Sequence, residues 1–223
     1  MNHKGCICIF AKPPLPGRVK TRLIPHLGSA GAAELATAFL QDTWASVSAL
    51  PWVEPVLTST QECFPACVPT PMEIWLQGEG DLGARLENIL RRALREHPYA
   101  IALGADSPGL PRTFLEQARS KLHRGDAVIG PCDDGGFYLI GLRRCPSGLF
   151  DGISWSASDT FDETLANLRR AGMRVQVLEP WFDVDWPEDL ARLQASISTG
   201  RIVAPHTREV LEKLLADSRR PAP

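Results

Sequence analysis

Five carboxylates and four cations of this 223-residue chain fall where elements turn rather than along helix faces, and their types together point to phosphate chemistry. The carboxylates are Asp106, the pair Asp133 and Asp134, and the pair Asp183 and Asp185. Acids at strand or loop ends are natural ligands for Mg²⁺, which keeps several waters and takes one or two protein carboxylates plus phosphate oxygens. The cations are Lys12, Arg18, Lys20 and Arg22, carried by a proline- and glycine-shaped stretch from Phe10 to Leu23. Gly17 lets the backbone approach a ligand there, while Lys20 and Arg22 can reach its oxygens. Each feature also has a plainer reading. Asp134 beside Gly135 suits a turn, Asp183 and Asp185 suit helix N-caps, and a basic loop can be simply a solvated face. Asp106, which ends an apolar strand in Gly104-Ala105-Asp106-Ser107-Pro108, has the weakest alternative role, since no helix begins close enough for it to cap.

The elements that must position these residues alternate strand and helix. Cys6 to Phe10 is a short apolar run stopped by Lys12-Pro13-Pro14, so the basic loop begins at a strand's C-terminal end, where open α/β sheets bind ligands. A helix capped by Ser29 is expected to run to about Leu50, followed by strands at Val53 to Thr58 and near Glu73 to Leu76. Gln77 to Gly83 holds three glycines and opens a helix from about Ala84 to Glu96. Tyr99 to Leu103 reads as a central strand buried on both faces. Pro111 starts a helix ending near Gly125, Asp126 to Pro131 forms a strand, and Asp133 to Gly136 turns into another at Phe137 to Leu142, as a hairpin or a longer excursion. Ser158 or Asp159 caps a helix to Ala171, Met173 to Leu178 is a strand, Pro187 starts a helix, and Pro205 to Ser218 forms a terminal one before a loose tail. No repeat or linker interrupts the pattern, so residues 1–223 are expected to form one α/β domain.

Composition narrows the partners. Hydrophobic residues at 44% and charged residues at 22% describe a globular protein, and a net charge of -2 offers no basic surplus for a nucleic-acid backbone. An anion site must therefore be local. The first apolar run is too short to span a membrane and lacks a cleavage signal, which suggests a cytoplasmic protein with no membrane partner. Two of the six cysteines, Cys6 and Cys8, alternate along the first strand as small apolar side chains, and Cys63 with Cys67 lacks the second pair a structural zinc needs. The basic loop matches neither G-x-x-x-x-G-K-[ST] nor G-x-G-x-x-G, so the two commonest nucleotide fingerprints are absent.

Six segments in order carry a resemblance over about residues 5–192: Lys12-x-Pro14-x-Pro16-Gly17-x-Val19-Lys20-Thr21-Arg22-Leu23, Gly80-Asp81-Leu82-Gly83-x-Arg85, Gly104-x-Asp106-Ser107-Pro108, Asp133-Asp134-Gly135-Gly136-Phe137-Tyr138-Leu139-Ile140-Gly141, Trp155-Ser156 and Asp183-Val184-Asp185-x-Pro187-Glu188-Asp189-Leu190. Together they resemble the bacterial CofC-like proteins of the nucleotide-diphospho-sugar transferase fold, of the DUF2064 type and often labelled glycosyltransferases. The resemblance implies a three-layer GT-A-like α/β fold with a mostly parallel central sheet. It implies nucleotide binding by Lys12, Gly17, Arg18, Lys20, Thr21 and Arg22, with Gln77, Gly80, Asp81 and Gly83 facing the base. Lys20, Arg22 and Asp106 would be catalytic, Asp106 and Asp185 would hold Mg²⁺ or Mn²⁺ with Asp183 as rival for the second place, and Asp133, Asp134, Gly135, Gly136, Trp155 and Ser156 would face the acceptor or sugar. Ala157 and Trp186 stand where the family usually has threonine, which bears on the acceptor more than on the metal.

Two enzyme activities fit these residues. In nucleotidyl transfer an acceptor oxygen attacks the α-phosphorus of a nucleoside triphosphate, and the protein supplies position and charge rather than a nucleophile. Four cations exceed what a diphosphate paired with Mg²⁺ needs, which favours a pyrophosphate leaving group and a small phosphorylated or carboxylated acceptor. Glycosyl transfer from a nucleotide sugar is the alternative, and a non-catalytic nucleotide-binding domain the second.

Overall fold

In the computed structural model, residues 4–62, 64 and 74–218 are described; Cys63, Cys67 and the 219–223 tail lie outside them. Gly5–Ala11 (β1) is an interior strand of the sheet, and its alternation serves two cores at once. Cys6 and Cys8 point to one face and Ile7 and Ile9 to the other, all fully buried. The two thiols pack 3.6 Å apart as small apolar groups.

The remaining strands are Val53–Ser59 (β2), Ile74–Leu76 (β3), Ala100–Gly104 (β4), Ala127–Pro131 (β5), Phe137–Leu142 (β6) and Val175–Val177 (β7). They join in the order β3-β2-β1-β4-β6-β5-β7. Every pairing is parallel except those of β6, which runs antiparallel to both β4 and β5. The turn after β5 is thus a true hairpin, closed by the Cys132 N–H donating to the Gly136 carbonyl at 2.9 Å. The sheet is flanked by Ile24–Ser48 (α1), Leu82–Ala93 (α2), Arg112–Leu122 (α3), Thr160–Arg170 (α4), Pro187–Ser198 (α5) and Pro205–Ser218 (α6). This is the mixed α/β, mostly parallel arrangement that the motifs imply.

Local starts differ from expectation in instructive ways. Helix α1 begins at Ile24, with Pro25 in its first turn, and Gly28 at φ 70° breaks the helical path just before Ser29. Asp159 precedes α4 without capping it through its side chain. Strand β7 is shorter than Met173 to Leu178, and at its start the Met173 N–H donates to the Leu168 carbonyl of α4 rather than to a strand, at 3.2 Å. No helix among the described residues is long and apolar enough to cross a membrane.

A third core positions the site. Leu23, Phe39, Phe182, Val184, Leu193 and Ile197 pack together beneath the basic loop. Burial of side chains this size stabilises by about 1.5–3 kcal/mol each, so the loop's exit and the Phe182–Val184 strip are fastened to the same floor.

Candidate active site

Lys20 is not a free loop cation. It sits at φ 45°, ψ 43°, a left-handed conformation uncommon for a residue with a side chain, at the entry to a short 3-10 turn over Thr21–Leu23. Its side chain is 4% exposed, and its ammonium bonds Asp106 Oδ1 at 2.6 Å and Asp185 Oδ1 at 3.0 Å. Burial alone would lower the pKa of this lysine, but the two carboxylates outweigh it and raise the value, so Lys20 stays charged. Arg22 reaches Asp185 Oδ2 at 3.6 Å and lies 4.6 Å from the centroid of the exposed Trp186 ring. Gly17, at φ 78°, has open space where a side chain would project. Lys12, Arg18 and Thr21 are exposed, and neither Lys12 nor Arg18 has an ion pair among the described residues.

The 79 positions between Asp106 and Asp185 are closed by backbone pairing: Val184 N–H donates to the Asp106 carbonyl at 3.0 Å. The strip is extended, with Phe182 and Val184 in the core, so Asp183 and Asp185 share the opposite side. Their surroundings separate them. Asp185 is 40% exposed, whereas Asp183 accepts the Ser107 hydroxyl and the Cys132 thiol, the latter at 3.4 Å. Burial, then repulsion from Asp106, pushes Asp183 up to about 6. Neither acid caps α5. That work falls to Asp189, whose Oδ2 accepts the N–H groups of Asp185 at 3.1 Å and Trp186 at 2.8 Å. The helix-start rule that places an acid at the third position would have found Asp189, and sequence reading missed it.

Asp106 and Asp185 fit a divalent ion. Their oxygens converge on one ammonium, both are hard donors, and both are partly exposed. No group of three or more His, Cys, Asp or Glu among the described residues gathers to hold a metal. An ion here would complete its shell with phosphate oxygens and water, as Mg²⁺ does.

The other predicted residues lie around this cluster in two groups. Asp133 bonds Arg192 Nη1 at 2.6 Å, and Asp134 accepts the Gly136 N–H at 2.9 Å, the turn-forming contact its neighbour suggests. Gly135 packs directly on the Ser158 backbone and accepts the Phe161 N–H, which brings the Trp155-Ser156 loop to this turn. Ser156 is at φ 61°, and the buried Trp155 indole N–H has no partner among the described residues. On the far side, the Gln77 amide donates to Thr58 O and Oγ1, both at 3.2 Å, and Asp81 caps α2 by accepting the Ala84 N–H. Gly83 is needed for packing, because a Cβ there would meet Trp155 and Phe150 within 3.0 Å. Gly80, at φ 96°, lies on the exposed lip between them. Arg192 and Cys132 carried no pattern of their own, and Ser107 and Trp186 were part of the motifs without a role; only the fold brings the four together here.

Comparison with known proteins bears on the family and the fold. The model of the uncharacterized family conserved in bacteria, DUF2064, matches residues 46–157. The chain belongs to DUF2064. The protein is also similar, at 30% identity and a TM-score of 0.85, to a Desulfovibrio desulfuricans G20 protein provisionally assigned as a nucleotide-diphospho-sugar transferase, over 97% of this chain and 98% of that one. It is 26% identical over 199 residues to the 2-phospho-L-lactate guanylyltransferase of Methanothermobacter thermautotrophicus, covering 87% of this chain and 85% of that protein. A CMP:2-keto-3-deoxy-manno-octonic acid synthetase complexed with CTP shares the fold at a TM-score of 0.60 and 13% identity, over 88% of this chain and 99% of that one. The Methanothermobacter relative is a nucleotidyltransferase by name and the Desulfovibrio one carries a provisional nucleotide-sugar transferase assignment, and this DUF2064 protein is nucleotidyltransferase-like.

Proposed function

We propose that this DUF2064 protein is a Mg²⁺-dependent nucleotidyltransferase that joins a nucleoside triphosphate to a small phosphorylated or carboxylated acceptor and releases pyrophosphate. The observation that carries the proposal is the buried Lys20 ammonium held between Asp106 and Asp185, beside an open glycine and three exposed cations. An acceptor oxygen attacks the α-phosphorus in line and the bond to the pyrophosphate oxygen breaks. Arg22, and Lys20 once the ion takes over Asp106 and Asp185, would offset the charge that accumulates on the phosphoryl oxygens. Asp106 and Asp185 would hold the ion, which supplies Lewis-acid neutralisation of phosphate oxygens. Lys12, Gly17, Arg18 and Thr21 line the triphosphate, Gln77, Gly80, Asp81 and Gly83 frame the base end, and Asp133 to Gly136 with Trp155 and Ser156 frame the acceptor. The guanylyl transfer named for the Methanothermobacter relative supports the reaction type.

Glycosyl transfer from a nucleotide sugar is the second reading, favoured by the likeness to the Desulfovibrio protein. Incubation with each nucleoside triphosphate or sugar nucleotide, Mg²⁺ and a metabolite pool separates them. Pyrophosphate release supports nucleotidyl transfer, nucleoside diphosphate release supports glycosyl transfer, and neither product leaves a non-catalytic nucleotide-binding domain.

A further inference from the structure

Lys20 and a divalent ion compete for the same oxygens. The buried ammonium bonds Asp106 Oδ1 at 2.6 Å and Asp185 Oδ1 at 3.0 Å, on the two acids that fit the ion. Mg²⁺ sits about 2.0–2.1 Å from its oxygen ligands, so an ion bound by these two atoms would fall within the space the ammonium fills. The outer oxygens offer no way round. Asp185 Oδ2 faces Arg22 at 3.6 Å, and an ion on that side would lie beside a buried like charge that little water screens.

Packing fixes the backbone of Lys20 and leaves its side chain able to move. The residue keeps its left-handed conformation, its carbonyl accepts the Leu23 N–H at 2.9 Å, and Leu23 is fully buried. Conformations this uncommon for a residue with a side chain persist where the surroundings impose them, and they gather at sites that switch. The stem beyond is a flexible four-carbon chain. The ammonium lies 5.6 Å from the centroid of the buried Phe39 ring, where burial by itself disfavours the charge and the two acids outweigh it. Among the described residues Asp106 has no other cationic partner. Ammonium and acids therefore hold one another, and the ammonium leaves only toward another anion.

We infer that Lys20 guards the cation site: it holds off a divalent ion that arrives alone, and yields Asp106 and Asp185 when a triphosphate draws the ammonium to its own oxygens. Ion and nucleotide then enter together. This inference rests on the metal assignment in the nucleotidyl-transfer reading and adds the order of binding to it.

The test is titration of the full chain with Mn²⁺, followed by calorimetry and by the electron paramagnetic resonance of free Mn²⁺, for the wild type, Lys20→Gly and Lys20→Met. Glycine suits the left-handed backbone and methionine keeps a stem without the charge, so agreement between the two assigns the effect to the ammonium. Without nucleotide, both variants should bind one Mn²⁺ at least about tenfold more tightly than the wild type, because a like charge has left the acids. Mn²⁺ should raise the thermal midpoint of each variant and leave that of the wild type unmoved. Adding Asp106→Asn to Lys20→Gly should cancel the gain. The best bound of GTP, ATP, CTP and UTP should tighten Mn²⁺ binding by a larger factor in the wild type than in either variant, since only there does it also remove the competitor. Equal factors, or a wild type that binds Mn²⁺ alone as tightly as the variants, overturn the inference and leave the metal assignment standing. No Mn²⁺ binding in either variant, or a gain that survives Asp106→Asn, overturns both. Nucleotidyl transfer is judged apart from these, by pyrophosphate release.

Discussion

At the residue scale, Lys20 and Arg22 divide two kinds of work. Arg22 is about half exposed and rests on Trp186, so Arg22→Ala should change stability by less than about 1 kcal/mol while weakening nucleotide affinity several-fold. Equal affinity in the variant would remove Arg22 from the site. Asp183 behaves in the opposite sense. Its charge is disfavoured by burial and by Asp106, yet its oxygens hold Ser107 and Cys132 behind the cluster. Asp183→Asn relieves the buried charge and keeps an acceptor for Ser107, so the thermal midpoint should stay level or rise while the transfer rate falls. A midpoint lowered by more than about 1 kcal/mol in equivalent stability would show that the charged form is the one the fold needs.

At the element scale, the start of α5 decides where Asp185 points. Asp189 takes the two N–H groups that precede the helix, which leaves the Asp185 carboxylate to Lys20 and Arg22. Asp189→Ala should cost about 1 kcal/mol, as lost caps do, and should weaken nucleotide binding in Mg²⁺ although Asp189 touches no phosphate. Asp189→Asn, which keeps an acceptor oxygen, should restore most of both. Denaturant melts together with titration check this, and a variant that loses stability with full affinity would confine Asp189 to the helix.

At the scale of the whole molecule, three segments far apart in sequence meet at one end of the sheet: the loop after β1, the end of β4 and the strip before α5. If a divalent ion joins them to the nucleotide, affinity should fall sharply in EDTA and return with Mg²⁺. Asp106→Asn should mimic chelation, and Asp185→Asn should do so more mildly. Nucleotide binding indifferent to EDTA would leave Lys20 as the only buried cation in the cluster and would sink the metal assignment.

The chain alone determined its strands and helices to within a few residues, because apolar runs, prolines and glycines act locally: Phe137 to Leu142 and Pro205 to Ser218 have the expected bounds, and Pro187 does open α5. It also showed that Asp106 follows the end of a buried strand and that the loop carrying Lys20 follows another. Starts governed by competition between neighbouring groups were less legible. Gly28 bends α1 just ahead of Ser29, and Asp189 rather than Asp185 serves α5. What only the tertiary structure decided is which charges meet. Asp106 finds Asp185 because Phe182 and Val184 are drawn into a core shared with Leu23, and Val184 then pairs with the end of β4. Burial separates Asp183 from Asp185, two neighbours of identical chemistry. Such contacts depend on long-range packing, and no local pattern of residue types encodes them.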